Sequence, residues 1–296
     1  MRMSHLFGLM RLPFLLLTPA CVLLGFGTAY WDGVAVNPLY LGLALLGALA
    51  AHVSVNVFNE YLDFKSGLDL RTERTPFSGG SGTLPAQPAL ARAALIIAVS
   101  ALVLSALIGL YFTVVRGWGL LPLGILGLLV VLAYTPWIAR HPLLSLIAPG
   151  LAFGPLMVMG TDFVLRGSYA WSAAAASLVP FFLVNNLLLL NQFPDIDADR
   201  SVGRRHLPMV LGTRASSRVS VLFMLLAFAS IAVSAYEKLL PDASLMALPG
   251  LLLALAVGIG VARHAERGTP LMPFLGLNVL VTLATPVLVS LGLFVA

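Results

Sequence analysis

The sequence predicts an all-α integral membrane protein, and both its composition and its long apolar runs support that fold class. Of the 296 residues, 59% are hydrophobic and only 10% are charged, with a mean hydropathy of +0.99. Soluble domains carry about 25% charged residues, so this chain could not build a water-facing surface. The apolar runs reach the roughly 20 residues that a helix needs to cross a bilayer, and they lack the alternation of membrane barrel strands.

The apolar runs divide the chain into nine predicted transmembrane helices, arranged as a bundle around a central cavity. They form a single domain covering residues 1–296. We expect the first run to be a retained span, because no small-residue cleavage site before a polar start follows it. The predicted spans are 12–30, 38–60, 89–114, 119–138, 143–164, 171–193, 214–235, 243–262 and 271–294.

Basic residues predict the orientation of the bundle. With nine spans, all but three of the 17 Lys and Arg residues fall on the side of the N-terminus, and the exceptions are Arg116, Arg166 and Lys238. Basic residues accumulate in cytoplasmic loops, so we expect a cytoplasmic N-terminus, a cavity open to the cytoplasm and a multi-pass location in the cell's inner membrane. This bias also explains the net charge of +5 without a nucleic-acid partner.

Two polar segments on the predicted cytoplasmic side, near 56–82 and 191–206, carry most of the acidic residues. Each contains the pattern Asn-x-x-x-Asp, as Asn59 with Asp63 and Asn191 with Asp195, and the second series continues to Asp199. A spacing of four places side chains on one face of a helix. We therefore expect two helices that each present a row of amide and carboxylate oxygens at the membrane boundary.

Two acidic residues depart from this spacing. Asp69 follows Asp63 by six residues, and Gly67 between them would allow the helix to end and the chain to turn the carboxylate back. Asp197 lies two residues from its acidic neighbours, so it points away from the shared face. We expect Asp69 to join the site and Asp197 to lie on the surface.

These segments indicate a site where Mg²⁺ binds a phosphate-containing substrate. Mg²⁺ prefers oxygen ligands and is commonly bound by a few carboxylates together with substrate phosphates. Acids next to bases in loops often form only a solvated surface, but the repeated motif with the same Asn favours a site. The basic residues among the acids, which can bind phosphate oxygens directly, are Lys65, Arg71, Arg74, Arg204 and Arg205.

Three further features have more than one interpretation. The loop Ser78–Gly82 is either a flexible lid or a plain turn, and it lacks the Gly-Lys-Ser/Thr ending of a P-loop. His52, two turns before Asn59, is either a packed core residue or a cavity-lining one. Tyr134 either orients an acceptor and stabilises a cation through its ring, or it serves at a kink in the interfacial belt.

The two acidic segments resemble the two Asp-rich motifs of the UbiA superfamily of intramembrane aromatic prenyltransferases, over nearly the whole chain. The first motif of that family is typically Asn-Asp-x-x-Asp-x-x-x-Asp, and here it reads Asn59-Glu60-x-x-Asp63 with the last Asp delayed to Asp69. This delay, together with the sequence Thr75-Pro76-Phe77-Ser78-Gly79-Gly80-Ser81, looks most like the branch that prenylates 1,4-dihydroxy-2-naphthoate in menaquinone synthesis.

The second segment is similar to the family's Asp-x-x-x-Asp with a trailing Gly-Lys-Arg. Here Asp195 and Asp199 are followed by Gly203-Arg204-Arg205, so that an arginine replaces the usual lysine. Gln192 and Pro194 stand where the naphthoate branch commonly has Asn and Arg.

The resemblance implies nine transmembrane helices with both motifs facing the cytoplasm. It also implies Mg²⁺-dependent transfer of a prenyl group from an allylic isoprenyl diphosphate to an aromatic acceptor in the bilayer, with release of diphosphate. The acceptor would be 1,4-dihydroxy-2-naphthoate or a related quinone precursor. Carried onto this sequence, the catalytic and Mg²⁺-binding residues are Asp63, Asp69, Asp195 and Asp199, assisted by Asn59 and Asn191. The substrate-binding residues are Asn59, Lys65, Arg74, Asn191, Arg204, Arg205 and Tyr134.

Two other functions use similar residues. An ion-coupled secondary transporter also needs intramembrane carboxylates, but it would be expected to place them near the bilayer midplane in broken helices. A lipid-headgroup phosphotransferase also combines a metal with a diphosphate, but such enzymes usually hold their Asp residues within one segment. Related acceptors for the prenyl transfer are a hydroxybenzoate, homogentisate or a glycerol phosphate.

Overall fold

The computed structural model describes residues 3–266 and 268–296, and the predicted cytoplasmic Arg2 and Arg267 lie outside this part. Within the described residues every regular element is helical. The α-helices are α1 Met3–Met10, α2 Leu17–Trp31, α3 Pro38–Ser66, α4 Thr83–Ala86, α5 Ala91–Arg116, α6 Leu121–Ala133, α7 Pro142–Leu151, α8 Gly160–Arg166, α9 Trp171–Asn191, α10 Ile196–Ser201, α11 Leu207–Tyr236, α12 Gly250–His264 and α13 Gly268–Val295. A π-helical segment, Ala152–Met159, joins α7 to α8.

Eight helices of the described chain are long and apolar enough to cross a membrane, so the protein is a multi-pass membrane protein. The predicted span 119–138 corresponds to a shorter apolar helix, Trp118–Ala133. This helix ends early because Pro136 disfavours helical geometry in the residue before it and cannot donate a backbone hydrogen bond. The ninth crossing and the cytoplasmic orientation stay predictions.

Helix α9 occupies the centre of the bundle. It packs against α2, α7, α11 and α13, and Val179, Leu183 and Val184 on it are fully buried. Helix α5 lies at the edge, where it packs on α3 and exposes large apolar side chains such as Ile96 and Leu107. Apolar side chains facing outward suit contact with lipid, so the centre of the bundle is where polar groups must find protein partners.

The span Pro142–Arg166 is irregular, and this irregularity shapes the interior. Pro149 cannot continue the helical hydrogen-bond ladder, and the π-helical segment begins three residues later. The side chain of Asn185 on α9 accepts a hydrogen bond from the Gly150 amide at 2.5 Å. Side chains at Gly150 or Gly154 would collide with the backbone of α9. The absence of side chains at these two positions therefore permits close contact between this span and α9.

Candidate active site

A cavity extends into the bundle from the end of α3 that carries Asp63. Apolar side chains of α2, α6, α9 and α13 line its deep part, including Leu17, Val131, Leu188 and Leu283. Polar side chains from both acidic segments line the other part. The cavity therefore has an acidic end and an apolar end, which suits a ligand with a charged head and a hydrocarbon tail.

The first acidic segment reaches the cavity as the sequence predicts. Asn59 and Asp63 both line it from α3, one helical turn apart. The helix ends at Ser66 because Gly67 adopts a left-handed conformation with φ of 76°, which is unstrained only for glycine. A single 3₁₀ turn, Leu68–Leu70, then directs Asp69 back into the cavity wall, where it is buried. The expected break at Gly67 is thus confirmed.

The second acidic segment reaches the same cavity by a different route. Helix α9 ends at Asn191, and the chain turns through Pro194 before α10 begins after Asp195. The expectation of one helical face shared by Asn191 and Asp195 is therefore wrong. The reason is that Pro194 disfavours helix at Phe193 and lacks an amide hydrogen. Asn191, Asp195 and Asp199 nevertheless all line the cavity.

Arg204 joins the two acidic segments. Its guanidinium forms an ion pair with Asp63, 141 residues away in the sequence, and a second one with Oδ1 of Asp199 at 3.1 Å. The other oxygen of Asp199 lies 3.1 Å from Nε2 of His206, whose Nδ1 is 3.4 Å from the hydroxyl of Ser145. Asp199 is therefore held on both oxygens, and Arg204 is the cation that the two segments share.

Other oxygens facing this end of the cavity have no such partners. In the described part of the chain, Oδ2 of Asp69, Oδ1 of Asn191, Oε1 of Gln192 and Oδ1 of Asp195 are buried without a hydrogen bond. Burial and the neighbouring carboxylates of Glu60 and Asp63 raise the pKa of Asp69 to about 7. Burial and the negative charge of Asp199 raise the pKa of Asp195 to about 6. The four oxygens have no hydrogen-bonding partner among the described residues, which is costly for buried polar atoms.

Comparison with known proteins identifies the family of this chain. The model of the UbiA prenyltransferase family matches residues 18–285. This chain belongs to the UbiA prenyltransferase family. Two curated relatives, from Escherichia coli K12 and Bacillus subtilis 168, are both named 1,4-dihydroxy-2-naphthoate octaprenyltransferase. The first is 29% identical over 94% of this chain and 91% of its own length, and the second is 28% identical over 62% of this chain and 58% of its own.

A solved structure supports the same fold. The chain resembles a UbiA homolog from Archaeoglobus fulgidus bound to DMAPP and Mg²⁺, with a TM-score of 0.63 at 17% identity, covering 97% of this chain and 99% of that one. At this identity the likeness shows the UbiA fold alone. The resemblance to the naphthoate branch, first indicated by the motifs, is confirmed by the named relatives.

Of the remaining predicted site residues, some line the cavity and others lie on the exposed surface. Tyr134 lines the cavity, and Thr135 beside it accepts a hydrogen bond from the amide of Asn59 at 3.2 Å. The side chains of Lys65, Arg74 and Arg205 are exposed and are not among the described residues that line the cavity. Their predicted role in substrate binding has no support from this geometry.

Arg11 and His206 are polar residues of the cavity that the sequence does not predict. Arg11 lies outside both acidic segments, and His206, the last residue of the second segment, fits no motif spacing. His52 also lines the cavity, with Nδ1 2.8 Å from the hydroxyl of Thr18 and its ring edge-on to Phe153. For His52 the sequence offers the cavity-lining role as one of two interpretations, because its spacing of seven from Asn59 places both residues on one face of α3.

The cavity residues fit the Mg²⁺ that the family implies. Four buried oxygens of the acidic segments lack hydrogen-bond partners, and hard divalent cations prefer such ligands. In the described part of the chain, no group of three or more His, Cys, Asp or Glu side chains is close enough to hold a metal by itself. This donor set suits a cation that takes part of its coordination from substrate phosphates.

Proposed function

We propose that this protein transfers a prenyl group from an allylic isoprenyl diphosphate to an aromatic acceptor and releases diphosphate. The observation that carries the proposal is the meeting of two Asn–Asp segments, far apart in sequence, at the polar end of one largely apolar cavity. Arg204 contacts an acid from each segment there. The two ends of the cavity match the two parts of a prenyl diphosphate, and the named relatives support the same activity.

Mg²⁺ is the cofactor of this proposal. Asp63, Asp69, Asp195 and Asp199 would hold it, with Asn59 and Asn191 assisting. When bound, Mg²⁺ supplies positive charge that stabilises the departing diphosphate. The Archaeoglobus fulgidus homolog is bound to DMAPP and Mg²⁺, which supports the choice of cofactor.

Arg204 has a direct role in binding the diphosphate. A guanidinium donates paired hydrogen bonds to phosphate oxygens and stays charged at any physiological pH. Its carboxylate partners Asp63 and Asp199 already hold it at the polar end of the cavity. The same charge favours cleavage of the C–O bond, in which the electron pair leaves with the diphosphate.

The apolar part of the cavity protects the allylic cation that this cleavage leaves. Phe14, Phe77, Tyr134 and Phe153 line the cavity, and aromatic rings attract cations through their faces. The apolar walls exclude water, which would otherwise capture the cation. A ring carbon of the acceptor then forms the new C–C bond and loses its proton.

We further propose 1,4-dihydroxy-2-naphthoate, or a closely related quinone precursor, as the acceptor. The names of the relatives and the glycine loop of residues 75–82 support this choice and a place in menaquinone synthesis. The proposal includes nine transmembrane helices in a single domain over residues 1–296. It also includes a cytoplasmic N-terminus and location in the inner membrane, where lipid can receive the tail of the product.

A prenyl-transfer assay on detergent-purified protein tests the proposal. Farnesyl and geranylgeranyl diphosphate would be offered with 1,4-dihydroxy-2-naphthoate, 4-hydroxybenzoate or homogentisate, in Mg²⁺ and in EDTA. We expect a prenylated naphthoate product in Mg²⁺ and none in EDTA. A product with another acceptor alone would overturn the acceptor. No Mg²⁺-dependent turnover or binding of any prenyl diphosphate by folded protein would overturn the enzyme in favour of an ion-coupled carrier.

A further inference from the structure

Glu60 differs from the other acids of the first segment, because protein donors occupy both of its oxygens. Its side chain is completely buried on α3. Oε1 accepts hydrogen bonds from Nε of Arg11 at 2.7 Å and from the amide of Ser81 at 2.8 Å, and Oε2 accepts one from the hydroxyl of Ser81 at 2.7 Å. Glu60 therefore connects the segment before α2 to the glycine loop of residues 75–82.

The glycine loop in turn contacts both acidic segments. The amide of Gly79 donates a hydrogen bond to Oδ2 of Asp195 at 3.2 Å, across 116 residues of sequence. Gly80 lies against the first segment, since a Cβ there would stand 2.9 Å from Oδ1 of Asp69. One short stretch of backbone thus lies between a carboxylate of each segment.

The loop has little freedom to move away from these carboxylates. Gly79, Gly80 and Gly82 all have φ values between 71° and 83°, which side-chain-bearing residues rarely adopt. The hydroxyl of Thr75 accepts hydrogen bonds from the amides of Phe77 and Ser78, at 3.2 Å and 2.9 Å. At the other end of the loop, Ser81 is held by Glu60.

The position of Glu60 in the motif admits another role. The family motif has an aspartate here, so Glu60 is a candidate fifth ligand for the metal or diphosphate. The geometry argues against that role, because Glu60 is not among the described residues that line the cavity and its two oxygens already accept three hydrogen bonds. Asp69 and Asp195, in contrast, each have an oxygen without a partner in the described chain.

We infer that Glu60 and Ser81 are positioning residues, which hold the glycine loop so that its backbone fixes Asp195 and Asp69 relative to each other. The carboxylates touch the substrate in the proposed reaction, whereas Glu60 acts through the loop. The extra methylene of glutamate is required, since an aspartate at residue 60 would fall short of Arg11 and Ser81 together. The effect on turnover rests on the proposed function, but the effects on the loop and on cation binding do not.

Three measurements on purified protein test this inference. Trypsin cleavage after Arg71 and Arg74, which are exposed just before the loop, reports on the loop. Mn²⁺ binding in the presence of inorganic diphosphate, measured by electron paramagnetic resonance, reports on the carboxylates. The prenyl-transfer assay gives kcat and KM.

The variants to be compared with the wild type are Glu60→Asp and the milder Ser81→Ala. The matched control is Asp197→Glu, which changes an acid by the same methylene where the side chain is 96% exposed.

We expect both variants to be cleaved several-fold faster than the wild type and to bind Mn²⁺ about 10- to 100-fold more weakly, as is typical when groups that orient metal ligands are changed. The kcat should fall with the Mn²⁺ affinity, and Asp197→Glu should match the wild type.

Wild-type cleavage rates and wild-type Mn²⁺ affinity in both variants would overturn the inference. Faster cleavage with unchanged affinity and kcat would leave only a structural contact. If the wild type were inactive in prenyl transfer, the proposed function would be rejected. The cleavage and Mn²⁺-binding measurements would still test the inference about Glu60 and Ser81.

Discussion

The two ends of the bundle both bury carboxylates, but among the described residues only the cavity end leaves carboxylate oxygens without hydrogen-bond partners. At the end opposite the cavity, Asp162 is completely buried and each of its oxygens is bonded to Arg166, at 2.9 Å and 3.0 Å. Thr28 donates a further hydrogen bond to Asp162 at 2.9 Å. Arg166 also binds Asp32 at 2.5 Å, and Ser172 binds the same oxygen of Asp32 at 2.6 Å.

The cavity end has a different balance of charge. Arg204 is shared between Asp63 and Asp199, while Asp69 and Asp195 each retain an oxygen that no described residue satisfies. A buried carboxylate whose two oxygens both have partners stabilises the fold. A carboxylate that faces a cavity with one oxygen unpartnered can bind a ligand there. Burial of an acid by itself would not have distinguished the two ends, but the count of its partners does.

The largest effect should come from breaking the complete cluster. Arg166→Met would leave the Asp162 carboxylate buried with only Thr28 as a donor. Removing one partner of a buried pair typically lowers the free energy of unfolding by about 3–5 kcal/mol. Thermal denaturation in detergent should show this loss, with turnover per folded molecule unchanged. Lys238→Met is the control, because its ion pair with Asp242 is largely exposed. Equal stability of the two variants would contradict the prediction.

At the cavity end the expected effect is on turnover rather than on folding. Asp195→Ala removes a carboxylate that has one hydrogen bond, from the Gly79 amide, and one unpartnered oxygen. Loss of an essential charge stabiliser typically costs about 10²-fold or more in rate. We expect that loss in the prenyl-transfer assay, with a thermal midpoint close to that of the wild type. A variant that kept more than about a tenth of the wild-type rate would remove Asp195 from the proposed site.

A smaller effect should separate two asparagines of the same helix. Asn191 lines the cavity with an unpartnered Oδ1, whereas Asn186 is buried and donates to Asn278 at 2.9 Å. Asn191→Ala should lower kcat/KM about fivefold, the equivalent of one neutral hydrogen bond of about 1 kcal/mol. Asn186→Ala should lower the thermal midpoint and spare kcat/KM. The reverse pattern, measured on both variants in parallel, would refute the assignment.

Much of the fold could be predicted because hydropathy is a local property. Eight of the predicted spans coincide with helices long and apolar enough to cross a membrane. The predicted span 119–138 failed at its end, where Pro136 terminates the helix although the residues beyond it remain apolar. Hydropathy reports what a residue contacts on average, and it does not report where the backbone can continue a helix.

The acidic residues of the site could also be predicted, since their spacing is carried by the chain itself. Asn59, Asp63 and the delayed Asp69 reach the cavity through a helix and a glycine turn that local rules describe. Asn191 and Asp195 also reach the cavity, but not on one helical face, because Pro194 interrupts the helix that their spacing predicts. Spacing located the segments correctly even where the assumed conformation was wrong.

Residue type and local spacing suffice to predict the membrane class, the family motifs and the acidic residues of the cavity, because a membrane-spanning run and each motif lie within about 20 consecutive positions. Helix packing, in contrast, places Arg204 between Asp63 and Asp199 and brings Gly79 into contact with Asp195. The same packing directs Glu60 to Ser81, whereas Asp63 and Asp69 line the cavity. These contacts join residues brought together by helix packing, and no local pattern of charge or hydropathy encodes which partner a buried group will meet.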